Sequence, residues 1–341
     1  MAILRVIGED SDFDRVNSAN LSVSSGVTAS NKRSQARQYV DIYVVASANN
    51  LNSFAKLDLP SAITSCWVTA RYNTSLSTTV SGLFPLGLAK AGVKRIGLMA
   101  SGTPNKLAIG KISAAGVITT LATEAGTFIL DVVYKYDMQV INFGTTGTVN
   151  VYRANADGTN STLLMTFTGD LTTDGITNLD SVISQGINNS GLSYISEVII
   201  ATTDTRGMGL VTLEPTANGN TYAWSGSFTD VSESTLSDVT LISSTTDGQL
   251  AQFAFNSSRI GTPGYIEAVV VSARGQGGGG VTTFTPNIRI AAIDYFGTGI
   301  VPNAGLKPIQ SVFATNPNTG AVFTFSQLTA VGVNYGFRAN L

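Results

Sequence analysis

The chain contains no histidine among its 341 residues. That absence removes Ser-His-Asp and Cys-His nucleophilic sites, HExxH zinc proteases and histidine-ligated iron or copper. The usual general base near neutral pH goes with them. Cysteine is nearly absent as well, and the single Cys66 excludes an internal disulfide and a cysteine metal cage. Charge is scarce: Asp, Glu, Lys and Arg make up 12% of the chain, against the usual ~25%. A net charge of −2 leaves no basic stripe for nucleic acid. No apolar run approaches the ~18 residues of a membrane span. The apolar start Met1–Ile7 meets Glu9, Asp10 and Asp12 too early for a signal peptide. Neither nucleic acid nor membrane is therefore expected as a partner, and export from the cytoplasm of synthesis is not expected either.

What replaces the missing charge is Thr, Ser, Asn and Gly, the residues of strand faces and turns. Hydrophobic residues make up 43%, so the chain has the apolar content to fold, and its length suits two domains. A weakly charged, threonine-rich surface is expected where copies pack against neighbours, because interface cores are depleted in charge. The one basic cluster, Lys32, Arg33 and Arg37, reads as part of a solvated arm, with a docking contact as the alternative.

The chemistry left without histidine is a carboxylate pair, as in glycoside hydrolysis, or a Lys or Thr mechanism. Carboxylates on one strand face need a spacing of two. Asp10/Asp12 and Asp12/Asp14 have it, but in a polar N-terminal stretch that reads as solvated. Asp131 and Glu197 each read as a lone outward carboxylate on a half-solvated strand. The run Gly275–Gly280 has no following Lys-Ser/Thr and helix, so it reads as a flexible connection rather than a phosphate cradle. No catalytic, cofactor-binding or metal-binding residue is assigned, no cofactor is expected, and the chain is not expected to be an enzyme.

Apolar residues recur with period two along most of the chain, which predicts strand after strand. Thr127–Tyr136 is the clearest run, with Phe128, Leu130, Val132, Tyr134 and Tyr136 on one face. Cys66–Tyr72 alternates too, which makes Cys66 a buried small hydrophobe with an interchain disulfide as the alternative. It leaves Trp67 on the opposite face, either under further packing or exposed. Further strands are expected at 39–45, 80–88, 95–99, 106–112, 117–121, 149–152, 163–167, 194–202, 250–255, 266–273, 283–291 and 334–338. A helical turn is expected within 174–185 and a short helix over 326–331. The cluster Glu214–Asn220 reads as a breaker between domains, with Trp224 packed at the junction. The expected organisation is an N-terminal arm or edge segment (1–38), a first antiparallel sandwich (39–215) and a second β-sandwich (216–341).

Three stretches carry a family resemblance. Leu130–Val133, then Gly147–Tyr152, then Phe167–Asp170 resemble the successive strands of the concanavalin A-like, laminin-G-like jelly roll. Tyr194–Ala201 with Asp204–Gly207 and Leu213–Pro215 resembles a closing segment of tailed-bacteriophage virion proteins. Asn316–Thr324 with Leu328 and Gly336–Arg338 is similar to the terminus of those proteins, with Phe323 where a tryptophan is expected. The resemblance implies an all-β, jelly-roll protein of a virion: a decoration, collar, tail or fibre component, held by other virion proteins and by copies of itself through multivalent packing. The metal set of legume lectins needs a histidine, and the glucanases of this fold use a Glu-x-Asp-x-Glu strand. Neither is present, so no family site residue is carried over. The alternative is an adhesin whose partner is a host-surface glycan, which requires exposed aromatics beside amide and carboxylate groups.

Overall fold

A computed structural model of the chain describes residues 3–7, 14–16, 21–24, 43–47, 54–74, 82–185, 193–232, 239–260, 266–278, 280–302 and 305–340. The fold is all-β and antiparallel, and the chain divides into two units, Met1–Leu210 and Val211–Leu341.

The first unit begins with β1 (Ile3–Ile7), β2 (Asp14–Val16), β3 (Leu21–Ser24) and β4 (Tyr43–Ser47). It continues with β5 (Phe54–Ile63), β6 (Cys66–Thr74), β7 (Leu86–Lys90), β8 (Val93–Ala100), β9 (Leu107–Ile112) and β10 (Ile118–Thr123). The last are β11 (Tyr134–Ile141), β12 (Gly147–Asn155), β13 (Thr162–Gly169), β14 (Leu179–Ser184) and β15 (Ser193–Ala201). They form an eight-stranded sheet in the order β13-β12-β11-β6-β15-β4-β3, with β1 also on β15, and a seven-stranded sheet in the order β10-β9-β8-β7-β14-β5-β2.

Alternation builds the core between these sheets. Val68, Ala70, Tyr72, Tyr136, Met138, Val140, Val149 and Val151 point inward from the eight-stranded sheet. Leu57, Leu86, Leu88, Ile96, Leu98, Leu107, Ile109 and Val182 meet them from the other. Glu124 stitches the two sheets at one end: its carboxylate accepts from Leu107 N at 2.7 Å and from Arg153 Nη1 at 3.1 Å. The middle of the seven-stranded sheet is apolar on its outer face too. Gly87, Gly97 and Gly110 stand in register across β7, β8 and β9, and Phe84 and Met99 lie over them. A Cβ at Gly97 would fall 2.5 Å from Leu86 O and 2.6 Å from Phe84. Phe54, Ala89, Ala108, Ile112 and Ile183 complete this second cluster.

The second unit holds β16 (Pro215–Tyr222), β17 (Leu250–Phe255), β18 (Val269–Gly275), β19 (Thr283–Ile290), β20 (Ile293–Phe296), β21 (Lys307–Phe313) and β22 (Asn334–Asn340). The order β16-β17-β22-β19-β20 makes a five-stranded sheet, and β18 pairs with β21. Val271, Ile288, Ile290, Phe313, Phe323 and Tyr335 form its core, with Leu328 of the one-turn helix α1 (Phe325–Leu328). Trp224 packs on Phe284 of the same unit at 5.9 Å, and its indole N–H donates to Gln249 O.

Several expectations need correction. Thr127–Val133 is not strand: alternation there runs through a loop, Asp131 has φ +62°, and β11 starts only at Tyr134. Leu130–Val133 therefore does not supply the long strand on which part of the family pattern was read. The stretch 174–185 carries β14 rather than a helical turn, because Leu179 and Val182 pack into the core and Ile183 into the outer cluster. Glu214–Asn220 does not act as a breaker, since Pro215 begins β16, whose bulged pairing with β17 absorbs Asn218–Asn220. Strands β5, β20 and β21 were not expected. The segment 1–38, expected as an arm or edge, contributes β1, β2 and β3. Asp14 begins β2, while Asp10, Asp12, Lys32, Arg33 and Arg37 lie outside the described residues.

Candidate binding face of the eight-stranded sheet

Because Cys66, Val68, Ala70 and Tyr72 point into the core, Trp67, Thr69, Arg71 and Asn73 point outward, as do Lys135, Asp137 and Gln139 of β11. The register sets these residues in rows. One runs Trp67, Gln139, Asn150, Thr166 across β6, β11, β12 and β13; the next runs Thr69, Asp137, Tyr152. A third places Arg71 beside Lys135.

One half of this face is covered and charged. The pairing of β15 with β6 shifts between Ser196 and Ile199, and Glu197, at φ +52°, is turned outward. Its carboxylate meets Arg71 Nε at 2.8 Å, both side chains being buried. Glu197 is thus not the lone solvated carboxylate expected. The following segment, 203–210, folds back over these groups. Lys135 Nζ donates to the carbonyl oxygens of Thr205, Arg206 and Met208 at 3.1, 2.5 and 3.2 Å. Thr205 Oγ1 donates to Asp137 Oδ1 at 3.2 Å, and Leu210 N donates to Glu197. Burial pushes the Lys135 ammonium below its usual range, opposed by the Asp137 carboxylate.

The other half is open and neutral. Asn150 Nδ2 donates to Gln139 Oε1 at 3.0 Å, and Thr166 Oγ1 donates to Asn150 Oδ1 at 2.7 Å. The hydroxyls of Thr148 and Thr168 lie 3.0 Å apart in the adjacent row. At the border between the halves Trp67 and Tyr152 stack at 5.7 Å, roofed by Arg206, whose guanidinium carbon is 5.3 and 4.5 Å from their ring centres. Asp204 holds that guanidinium through both carboxylate oxygens: Arg206 Nε donates to Oδ1 at 3.0 Å and Nη2 to Oδ2 at 2.6 Å. This hydrogen bonding, first of all, holds the Asp204 carboxyl below the usual carboxylate range.

The charged groups of this face are paired with one another. Its carboxylates are tied to Arg71, Lys135 and Arg206, and its accessible groups are amides and hydroxyls, with Tyr152 half-buried and Trp67 buried beneath Arg206. Among the described residues no three of His, Cys, Asp and Glu gather where they could hold a metal ion. Cys66 is buried in the core, and burial pushes its thiol up to about 12. Sequence reasoning singled out Trp67 and left its environment open; the amide row and the Asp204–Arg206 pair were not found. A signal was present for the row, since a hairpin turning at 142–146 sets Gln139 opposite Asn150.

No family model matches the chain, and no curated protein matches it. Among solved structures it is similar to the carbohydrate binding module CBM66 from Bacillus subtilis, at 7% identity and a TM-score of 0.31, over 47% of this chain and 86% of that one. It is similar to peanut lectin at 10% identity and a TM-score of 0.33, over 59% of this chain and 97% of the lectin. The binding domain of botulinum neurotoxin DC aligns at 8% identity and a TM-score of 0.34, over 95% of this chain and 75% of that one.

Proposed function

We propose that the protein is a non-enzymatic glycan-binding adhesin, and that the open half of the eight-stranded sheet is its binding face. The observation that carries this reading is the hydrogen-bonded row Gln139–Asn150–Thr166 beside the Trp67/Tyr152 stack. Amides and hydroxyls offer both donors and acceptors at fixed spacing, and the half-buried Tyr152 ring offers an apolar edge, with Trp67 buried behind it under Arg206. That combination matches a sugar, whose hydroxyls lie around apolar C–H faces. The face is electrically balanced, so a neutral oligosaccharide fits it best. The test is titration of oligosaccharides against the Trp67 fluorescence of a Trp224→Phe variant. Saturable quenching that Tyr152→Ala abolishes, with an unchanged circular dichroism spectrum, supports the reading; a panel of oligosaccharides that all fail to perturb Trp67 sinks it.

A second reading keeps the protein in a tailed-phage particle as a packing component. The observation favouring it is at the sheet edges: β13 and β10 end their sheets, and neither carries a charged residue or proline. Edge strands are ordinarily blunted by such residues, and a charge-free edge accepts a neighbour's strand. Labelling of purified particles with antibody against the folded protein tests this placement. Label on head, collar or shaft supports packing, label at fibre tips supports adhesion within the particle, and absence of label removes the virion location.

A further inference from the structure

The second unit carries a polar face of its own, independent of the one just described. Alternation gives β17, β22, β19 and β20 an apolar face with Ile288, Ile290 and Tyr335, and an opposite face with Gln252, Gly336, Asn287 and Phe296 in one row. Arg338 and Thr285 flank that row on one side; Asn334, Arg289 and Asp294 flank it on the other. In a flat sheet β17 and β20 would stand three strand spacings apart, roughly 14 Å. Yet Gln252 Nε2 donates to Asp294 Oδ1 at 2.5 Å, a span these two side chains bridge only if the sheet curls around this face. Gly336 permits the close approach, since a Cβ there would lie 1.9 Å from Ala251 O. Arg338 reaches across β19 and sets its guanidinium carbon 4.1 Å from the centre of the Phe296 ring. Guanidinium and ring together roof the middle of the curl.

Beneath that roof polar valences stand open. Asn287 is 0% exposed, and neither its Nδ2 nor its Oδ1 has a hydrogen-bond partner. Gln252, equally buried, has an unpartnered Oε1, and the Nε groups of Arg289 and Arg338 are unpartnered too. A buried polar group left unmade costs about 1–3 kcal/mol, so a ligand that completes these bonds is favoured. The charges do not cancel either. Arg289 pairs with Asp294 at 2.9 Å, whereas Arg338 has no carboxylate partner among the described residues.

We propose that this curl binds a hydroxylated carboxylate. Its carboxylate takes the Arg338 guanidinium and Asn287 Nδ2, and its hydroxyls donate to Asn287 Oδ1 and Gln252 Oε1. The uncompensated cation selects an anion, and the two buried acceptors select one that also donates, which a bare carboxylate cannot do. An acidic sugar unit and a free hydroxy acid share this chemistry.

The experiment is calorimetric titration of the full chain with methyl glucuronide carrying a free carboxylate, glycerate, glucose and acetate. Binding of the first or the second, at least tenfold tighter than glucose and acetate, is expected, and which of the two binds names the source. Arg338→Gln should weaken that binding at least tenfold while the melting temperature stays near the parent's. Phe296→Ala, an exposed change, serves as a second variant if Arg338→Gln folds poorly. Equal binding of glucose and the uronide, binding indifferent to both substitutions, or no heat up to about 50 mM overturns the proposal. Tyr152→Ala leaves this site untouched, so failure here and failure of the glycan face on the first unit are read separately.

Discussion

The two sheets of the first unit face outward in opposite ways. The seven-stranded sheet lays Phe84 and Met99 over a glycine row and is buried on both faces along its middle strands β7, β8 and β9. The eight-stranded sheet turns amides, hydroxyls and ion pairs outward, the ion pairs buried under the segment 203–210 and the amide row open. Both sheets contribute to the core between them. The difference lies in what a substitution on the outer face removes: on the first sheet it opens packing, on the second it removes polar contacts. If the open amide row binds a glycan as proposed, stability and recognition fall to different faces of one sandwich.

The sharpest way to break that division is Gly97→Val. A Cβ at this position meets backbone, Leu86 O at 2.5 Å and Gly87 Cα at 2.6 Å, and backbone cannot rotate away as a side chain can. Overpacking normally costs 1–3 kcal/mol; here the sheet itself must part, so a loss above about 4 kcal/mol is expected. Chemical denaturation of the variant measures it. A Gly97→Val protein that unfolds at the parent's midpoint would mean the outer cluster contributes nothing.

On the other sheet the largest effect belongs to Lys135→Met. The substitution leaves three carbonyls of the covering segment without their donor and leaves the buried Asp137 carboxylate with only Thr205. Breaking a buried pair from one side costs about 3–5 kcal/mol. Faster hydrogen exchange confined to 203–210 is expected first, because the segment is held chiefly from this point. Exchange unchanged there would show that the segment is anchored elsewhere.

Lys94 puts a charge on the apolar side of the comparison. Its ammonium donates to Gly82 O at 3.2 Å and Gln185 Oε1 at 2.9 Å and lies 5.3 Å from the Phe84 ring centre. Burial pushes it down to about 7 from 10.5. Between those values the unfolded chain holds a proton that the folded chain does not, so stability rises with pH through this window and the deficit is complete below pH 7. Lys94→Met should therefore be more stable than the parent at pH 6, by about 1–3 kcal/mol, and should lose the rise between pH 7 and 10. A parent whose melting temperature is flat over that range would place the charge in a wetter site than described.

The same contrast explains what could be read from the chain beforehand. Cys66–Tyr72 alternates between an apolar and a polar face, so its strand and its orientation were legible. Phe54–Ile63 was missed although Ala55, Leu57 and Leu59 alternate with Lys56, Asp58 and Pro60, because a proline within a run argues against a strand. Thr127–Val133 was misplaced because a loop that buries Phe128 and Val133 happens to alternate. The candidate face was harder still. Gln139, Asn150 and Thr166 come from three strands, and no local pattern marks them; only the register of two successive hairpins brings them together. Arg206 escaped notice for a related reason. It lies beyond β15, and its position over Trp67 and Tyr152 depends on Lys135 folding its segment back.

The smallest expected change in stability is also the most discriminating. Asn150→Ala removes the middle of the amide row, a half-buried group whose partners Gln139 and Thr166 both retain access to water. Water replaces the lost bonds, so the cost to folding is about 0.5–1.5 kcal/mol. Recognition is treated differently, because a ligand loses a donor and an acceptor fixed at one spacing, and the neighbours lose the side chain that orients them. Oligosaccharide binding should therefore fall at least tenfold in a variant that melts within a few degrees of the parent. Were Asn150→Ala instead to lower stability steeply and leave binding intact, the row would be a fastening of the sheet, and the polar face would stand with the apolar one as structure.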